Sequence, residues 1–150
     1  MILSMLLACA HAPLLEASIP TPPQLVQRAE ALAWKPCPPV LPDSCRQAVL
    51  EGDPSVAGQL FTTRLRIPEA FRLPSHTHPA HERLTVLEGD VRVRFLGTLE
   101  EEEPRVFGPH DYYVTETGAP HEVWSEAGAT VQVTGIGPWV VTPWSPPEGT

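Results

Sequence analysis

The stretch QLFTTRLRIP, residues 59–68, alternates side-chain character. Phe61, Thr63, Leu65 and Ile67 fall on one face, and Thr62, Arg64 and Arg66 on the other. A period of two marks a strand with one face on a core and the other in water. The pattern returns in VRVRF, where Val91, Val93 and Phe95 oppose Arg92 and Arg94, and in ATVQVTGIG, where Val131 and Val133 oppose Gln132 and Thr134. YYVT and HEVWS read as two shorter strands. EGD (twice), GPHD, TGAP and AGA supply turn residues between them. Many short strands at this spacing predict an all-β sandwich or barrel. No helix-length amphipathic pattern follows Arg46, and there is no solenoid-type repeat.

A chain of 150 residues suits one domain with one core. Its formal net charge of −8 offers no basic face to neutralise phosphates, which argues against a nucleic-acid partner. The acidic run Glu100 to Glu103 reads as a solvated loop. Eight prolines lie between Ala10 and Cys45, so this region is expected to be extended and loosely packed. One short helix is expected within it. Thr21 can cap it, Pro22 and Pro23 suit its first turn, and Gln24 takes the capping-box position. Leu25, Ala29, Leu32 and Ala33 would share a face until Pro36 ends it.

The N-terminus, MILSMLLACAHAP, is apolar from Met1 to Ala8 and too short to span a bilayer. LLAC, Leu6 to Cys9, resembles the lipobox of bacterial lipoproteins, in which the cysteine is lipidated. That resemblance implies a signal peptide over residues 1–8, a lipid on Cys9 and a tether over residues 9–45. It implies export and a lipid anchor in the periplasm, with Ala10 rather than an aspartate pointing to the outer membrane. Cys37 and Cys45 then remain as an even pair in an oxidising compartment, flanking PPVLPDS. They are expected to form a disulfide; two free thiols are the alternative.

Chemistry concentrates in PSHTHPAHERLTVLEG, Pro74 to Gly89. His76 and His78 are two apart, so on a strand both face one metal ion. Glu82 has the same parity, but Pro79 interrupts the strand between them. His121, after the turn TGAP, is the candidate fourth ligand. His81 has the opposite parity and is expected to face away, and His110 is expected to shape a turn. Tyr112, Tyr113, Trp124 and Trp139 read as core or rim residues, with Val123 a better pocket candidate than Trp124.

These residues resemble the two motifs of the cupin superfamily. The first, G-x5-H-x-H-x3,4-E-x6-G, is matched by His76, His78, Glu82 and Gly89, with Ala70 in place of the leading glycine. The second, G-x5-P-x-G-x2-H-x3-N, keeps Gly118 and His121 but has His110, Glu116 and Ser125 at the other positions. The resemblance covers Arg46 to Pro143 and implies a jelly-roll β-barrel over residues 46–143, with a tail over 144–150. It implies that His76, His78, Glu82 and His121 bind one divalent transition metal inside the barrel. Three imidazoles and a carboxylate suit Fe, Mn, Ni, Cu or Zn. A metal-dependent dioxygenase, or an isomerase of a small oxygenated substrate, is the first expectation. A non-catalytic, membrane-tethered sensor of a metal or small ligand is the second. Family habit implies a homodimer.

Overall fold

The computed structural model describes residues 24–96 and 103–147. It contains eleven strands: β1 (Lys35–Pro36), β2 (Arg46–Glu51), β3 (Leu60–Ile67), β4 (Phe71–Thr77), β5 (Glu82–Gly89), β6 (Val91–Phe95), β7 (Arg105–Phe107), β8 (Tyr112–Thr115), β9 (His121–Ser125), β10 (Ala129–Ile136) and β11 (Thr142–Pro143). One sheet has the order β1-β2-β3-β10-β5-β8, the other β11-β4-β9-β6-β7. Every pairing is antiparallel. The fold is all-β, a jelly-roll-like sandwich whose two sheets contribute alternate residues to one core.

The alternation in the sequence is the alternation in burial. On β3, Phe61, Thr63, Leu65 and Ile67 are buried, and on β10 Val131 and Val133 are. Val91 and Val93 supply the matching positions on β6. Phe95, at the end of that strand, is only partly buried and packs on the core. Arg64 and Gln132 pair across β3 and β10 on the outer face, Nε donating to Oε1 at 3.2 Å. Gly89 turns β5 into β6 with φ +72°, where a Cβ would stand 2.3 Å from the Gly128 carbonyl oxygen. Only glycine meets both demands.

The expected helix does not form among the described residues. Arg28 is extended, and a single 3-10 turn spans Ala29–Ala31. Residues 21–23, which carry the expected cap, lie outside the described residues. Leu25 and Val26 are exposed, so a helix here would have no apolar surface to cover. Contacts with the sheet edge hold the chain extended instead. Gln27 Nε2 donates to the Leu50 carbonyl at 3.2 Å, Arg66 lies 4.0 Å over the Trp34 ring, and Lys35 and Pro36 pair with β2. Cys37 and Cys45 are joined by a disulfide. Leu41, between them, is buried in the core together with Cys45, so this part of the proline-rich region is packed.

Candidate metal centre

His76 sits on β4, His78 one residue past its end, Glu82 at the start of β5 and His121 at the start of β9. Two features of the chain bring them together. Pairing of β4 with β9 sets His76 directly opposite His121. The turn before β9 is tied down by the Gly118 amide, which donates to the His78 carbonyl at 2.9 Å. The imidazole centroids are then 4.1 Å (His76 to His121), 4.9 Å (His76 to His78) and 5.3 Å (His78 to His121) apart. One ring nitrogen from each lies within 4.8 Å of the others. Exposure is 2% for His76, 3% for His78, 0% for His121 and 6% for Glu82.

Each ring is oriented by a backbone carbonyl. His76 Nδ1 donates to Pro74 at 2.7 Å, His78 Nδ1 to Val140 at 2.8 Å and His121 Nδ1 to Ala119 at 3.2 Å. A carbonyl can only accept, so every Nδ1 carries the proton. In the neutral rings every Nε2 then presents a lone pair. The buried Nε2 atoms of His78 and His121 have no hydrogen-bond partner. Glu82 Oε2 lies 3.2 Å from His78 Nε2 and 3.8 Å from His121 Nε2. The shorter contact is an ion-pair distance without hydrogen-bond alignment. A cluster of acceptors this close and this buried is suited to a cation in its midst. The donor set therefore fits a divalent metal, with each imidazole held by a carbonyl behind it as is common for ligating histidines.

The same logic appears in the titration of the metal-free protein. Burial, reinforced by His76 and partly offset by Glu82, pushes His121 down to about 4. Burial also lowers His76, against the pull of the Pro74 carbonyl. Burial disfavours the charged form of His78, but its contact with Glu82 outweighs this and holds it above the ordinary value. For Glu82, burial is outweighed by His78, His121 and a hydrogen bond from Trp139, so the carboxyl is held low. Of the three imidazoles, His78 is thus the one whose protonated form the adjacent carboxylate favours.

Trp139 and Tyr113 belong to this site, although their positions in the sequence suggest only core or rim. Trp139 Nε1 donates to Glu82 Oε1 at 3.0 Å and leaves Oε2 facing the imidazoles. Its ring stacks on His78 at 6.3 Å and leans on Phe61 at 6.1 Å. Tyr113, on β8, lines a cavity of about 40 Å³ together with His76, His78 and Glu82. Burial, then the charge on Glu82, holds its phenol well above the usual range. No local signal marks either residue, because Trp139 arrives on a loop and Tyr113 on a strand that first meets Glu82 across the β5–β8 pairing.

His81 stands outside the cluster, accepting at Nδ1 from the Thr117 amide at 2.9 Å. His110 occupies a turn with φ +75°. Val123 lines the cavity, whereas Trp124 lies between Arg72 and Arg94 on the other side of β9. Cys9 and His11 fall outside the described residues.

A family model for the cupin domain matches residues 64–137. No curated protein matches the chain in sequence. Among solved structures, a candidate acetylacetone dioxygenase from Methylibium petroleiphilum superposes with a TM-score of 0.64 at 17% identity, covering 84% of each chain. The polyketide cyclase RemF from Streptomyces resistomycificus gives 0.63 at 16% identity, over 83% of this chain and 89% of its own. An RmlC-like cupin from Shewanella frigidimarina gives 0.57 at 13% identity, over 80% and 91%. At these identities the likeness is one of fold. Two facing antiparallel sheets, a histidine triad between them and the match over residues 64–137 agree, and residues 64–137 belong to a cupin domain.

Proposed function

We propose that His76, His78, Glu82 and His121 hold one divalent transition metal, and that the protein is a metal-dependent enzyme acting on a small oxygen-containing molecule. The observation that carries this is the convergence of lone pairs from imidazoles tied back at Nδ1. A bound ion would supply Lewis-acid or redox chemistry, with four protein ligands leaving two positions of an octahedral set. The chain's own residues would orient the ligands, exclude water through the apolar cavity wall and hold Glu82 in place through Trp139. The candidate dioxygenase and the polyketide cyclase among the structural neighbours support an enzyme of the dioxygenase or isomerase kind.

The test is thermal unfolding of chelator-treated protein with Mn, Fe, Ni, Cu or Zn added. At a hundredfold excess over Kd, a bound ion adds about 2.7 kcal/mol, which raises the midpoint by roughly 5–10 °C. A midpoint indifferent to all five ions overturns the proposal.

A second reading is a non-catalytic sensor. One observation favours it: among the described residues, the cavity lining holds no carboxylate or imidazole beyond the proposed ligands that could serve as a separate base. Turnover of any member of a panel of catechols, flavonols, thiols and sugars by the metal-loaded protein decides for the enzyme.

We also propose that the chain is exported and lipid-anchored at Cys9 in the outer membrane, the reading supported by LLAC ahead of a proline-rich segment. Cys9→Ser should then move the protein from the detergent phase to the aqueous phase. Full-length wild type in the cytosol would refute it.

A further inference from the structure

We infer that the cavity beside the histidines is a binding site for a small monoanionic oxygen ligand, and that the Tyr113 hydroxyl is its hydrogen-bond donor. The inference rests on the proposed metal and goes beyond it by naming the ligand class and a positioning residue.

Charge sets the ligand's sign. A divalent ion with three neutral imidazoles and one carboxylate leaves one net positive charge. That charge is buried, and a buried charge without a partner is costly. A monoanion neutralises it; a neutral ligand does not, and a dianion overshoots.

Volume sets its size. The cavity is about 40 Å³ on a measure by which one water needs about 10–15 Å³, so it takes roughly three non-hydrogen atoms. Its wall is otherwise apolar, formed by residues such as Leu65, Ile67, Phe71, Leu84, Val131 and Val133.

Tyr113 sets the orientation. Its hydroxyl is buried and has no hydrogen-bond partner, and the whole residue is 6% exposed. Its ring is wedged against Phe95 at 5.9 Å and Phe107 at 4.7 Å, so it has little freedom to swing elsewhere. The imidazole N–H groups of His76 and His78 are committed to carbonyls. Among the described lining residues, that leaves the phenol as the one uncommitted side-chain donor. An orphaned buried hydroxyl is unfavourable until an acceptor arrives. A carboxylate oxygen directed at Tyr113, with its other oxygen toward the ion that the histidines and Glu82 would hold, satisfies both ends at once.

Zinc and formate are suitable probes, since zinc is diamagnetic and formate has three heavy atoms. The chain has two tyrosines, and Tyr112 is exposed on the opposite face of β8, which gives an internal control. With tyrosine ring carbons labelled, formate added to the zinc-loaded protein should shift the Tyr113 resonance and leave Tyr112 in place. Tyr113→Phe should weaken formate binding about tenfold, the loss of one hydrogen bond, with zinc affinity kept within about threefold. An unmoved Tyr113 signal, or equal formate affinity in the variant, overturns the inference while leaving the metal intact. Failure of the wild type to bind zinc or any of the other four ions overturns the metal reading and this inference together. Should the variant not fold, the two resonances of the wild type still decide.

Discussion

His121→Ala should abolish stoichiometric metal binding. The imidazole is fully buried, and its Nε2 is one of the orphaned lone pairs. Alanine has no donor to replace it and leaves a gap against His76, whose ring centroid is 4.1 Å away. Changes to groups that merely support metal ligands cost about 10–100-fold in affinity, so loss of a ligand should cost more than about 100-fold. Metal analysis after dialysis should find about one ion per wild-type chain and close to none in the variant. His76→Ala and His78→Ala should behave alike. His81→Ala should retain the ion, since His81 bonds to Thr117 outside the cluster. Trp139→Phe should fall between, because it frees Glu82 without removing a ligand. Full occupancy in His121→Ala would mean that the ion sits elsewhere.

The metal-free protein should lose stability as the pH falls from about 6.5 to about 4. His121 titrates near 6.5 when unfolded and at about 4 when folded, so within that window the unfolded chain binds the extra proton. Stability rises with pH wherever the unfolded state binds more protons, and therefore falls on acidification. At about 1.4 kcal/mol per pH unit, His121 alone removes about 3 kcal/mol across the window. His76, also lowered by burial, acts in the same direction. His78 has the opposite sign: its raised value gives stability that is present below 6.5 and lost as pH rises through its folded value. Below 6.5 it is charged in both states and adds no slope. The low Glu82 value gives stability present above about 4.5, lost as the pH falls through its folded value. Urea unfolding with a chelator, stepped between pH 4 and pH 7, checks this. A flat profile would mean that the buried imidazoles take up protons without penalty.

The strands were legible because burial follows a period of two. Val91, Val93, Val131 and Val133 can be assigned to the interior from spacing alone, and they are buried. The histidines were legible because motif spacing records which residues a β-sandwich can bring to one point. Glu82 was legible by motif but not by parity, since the break at 78–81 restarts the chain in a new strand. Two apparent departures from the motifs prove to be departures in residue type only. Ala70 and His110 stand where the motifs have glycine, and both keep a left-handed backbone, φ +53° and +75°. The motif glycines mark a dihedral angle, which alanine and histidine can adopt at a cost of about 1–2 kcal/mol. The misread helix had a plausible face but nothing to pack that face against. Trp139 was illegible because it reaches Glu82 from 57 residues away through a loop of irregular backbone.

The segment from Trp139 to Trp144 closes the site from behind. It contributes the indole on Glu82 and the carbonyl on His78, and it pairs β11 with the strand that carries His76. The Trp144 amide then donates to the Ser75 carbonyl at 2.9 Å. A ribosome builds the chain from its N-terminus, so the three histidines are made before the groups that steady His78 and Glu82. Until residues 139–144 are added, an ion would meet unsteadied ligands and bind weakly. Tight loading of the proposed ion would therefore wait for these residues. If the chain crosses a membrane unfolded on its way to the proposed anchor, it would cross without the proposed ion. The metal would then be chosen by what is plentiful at the destination rather than where the protein is made.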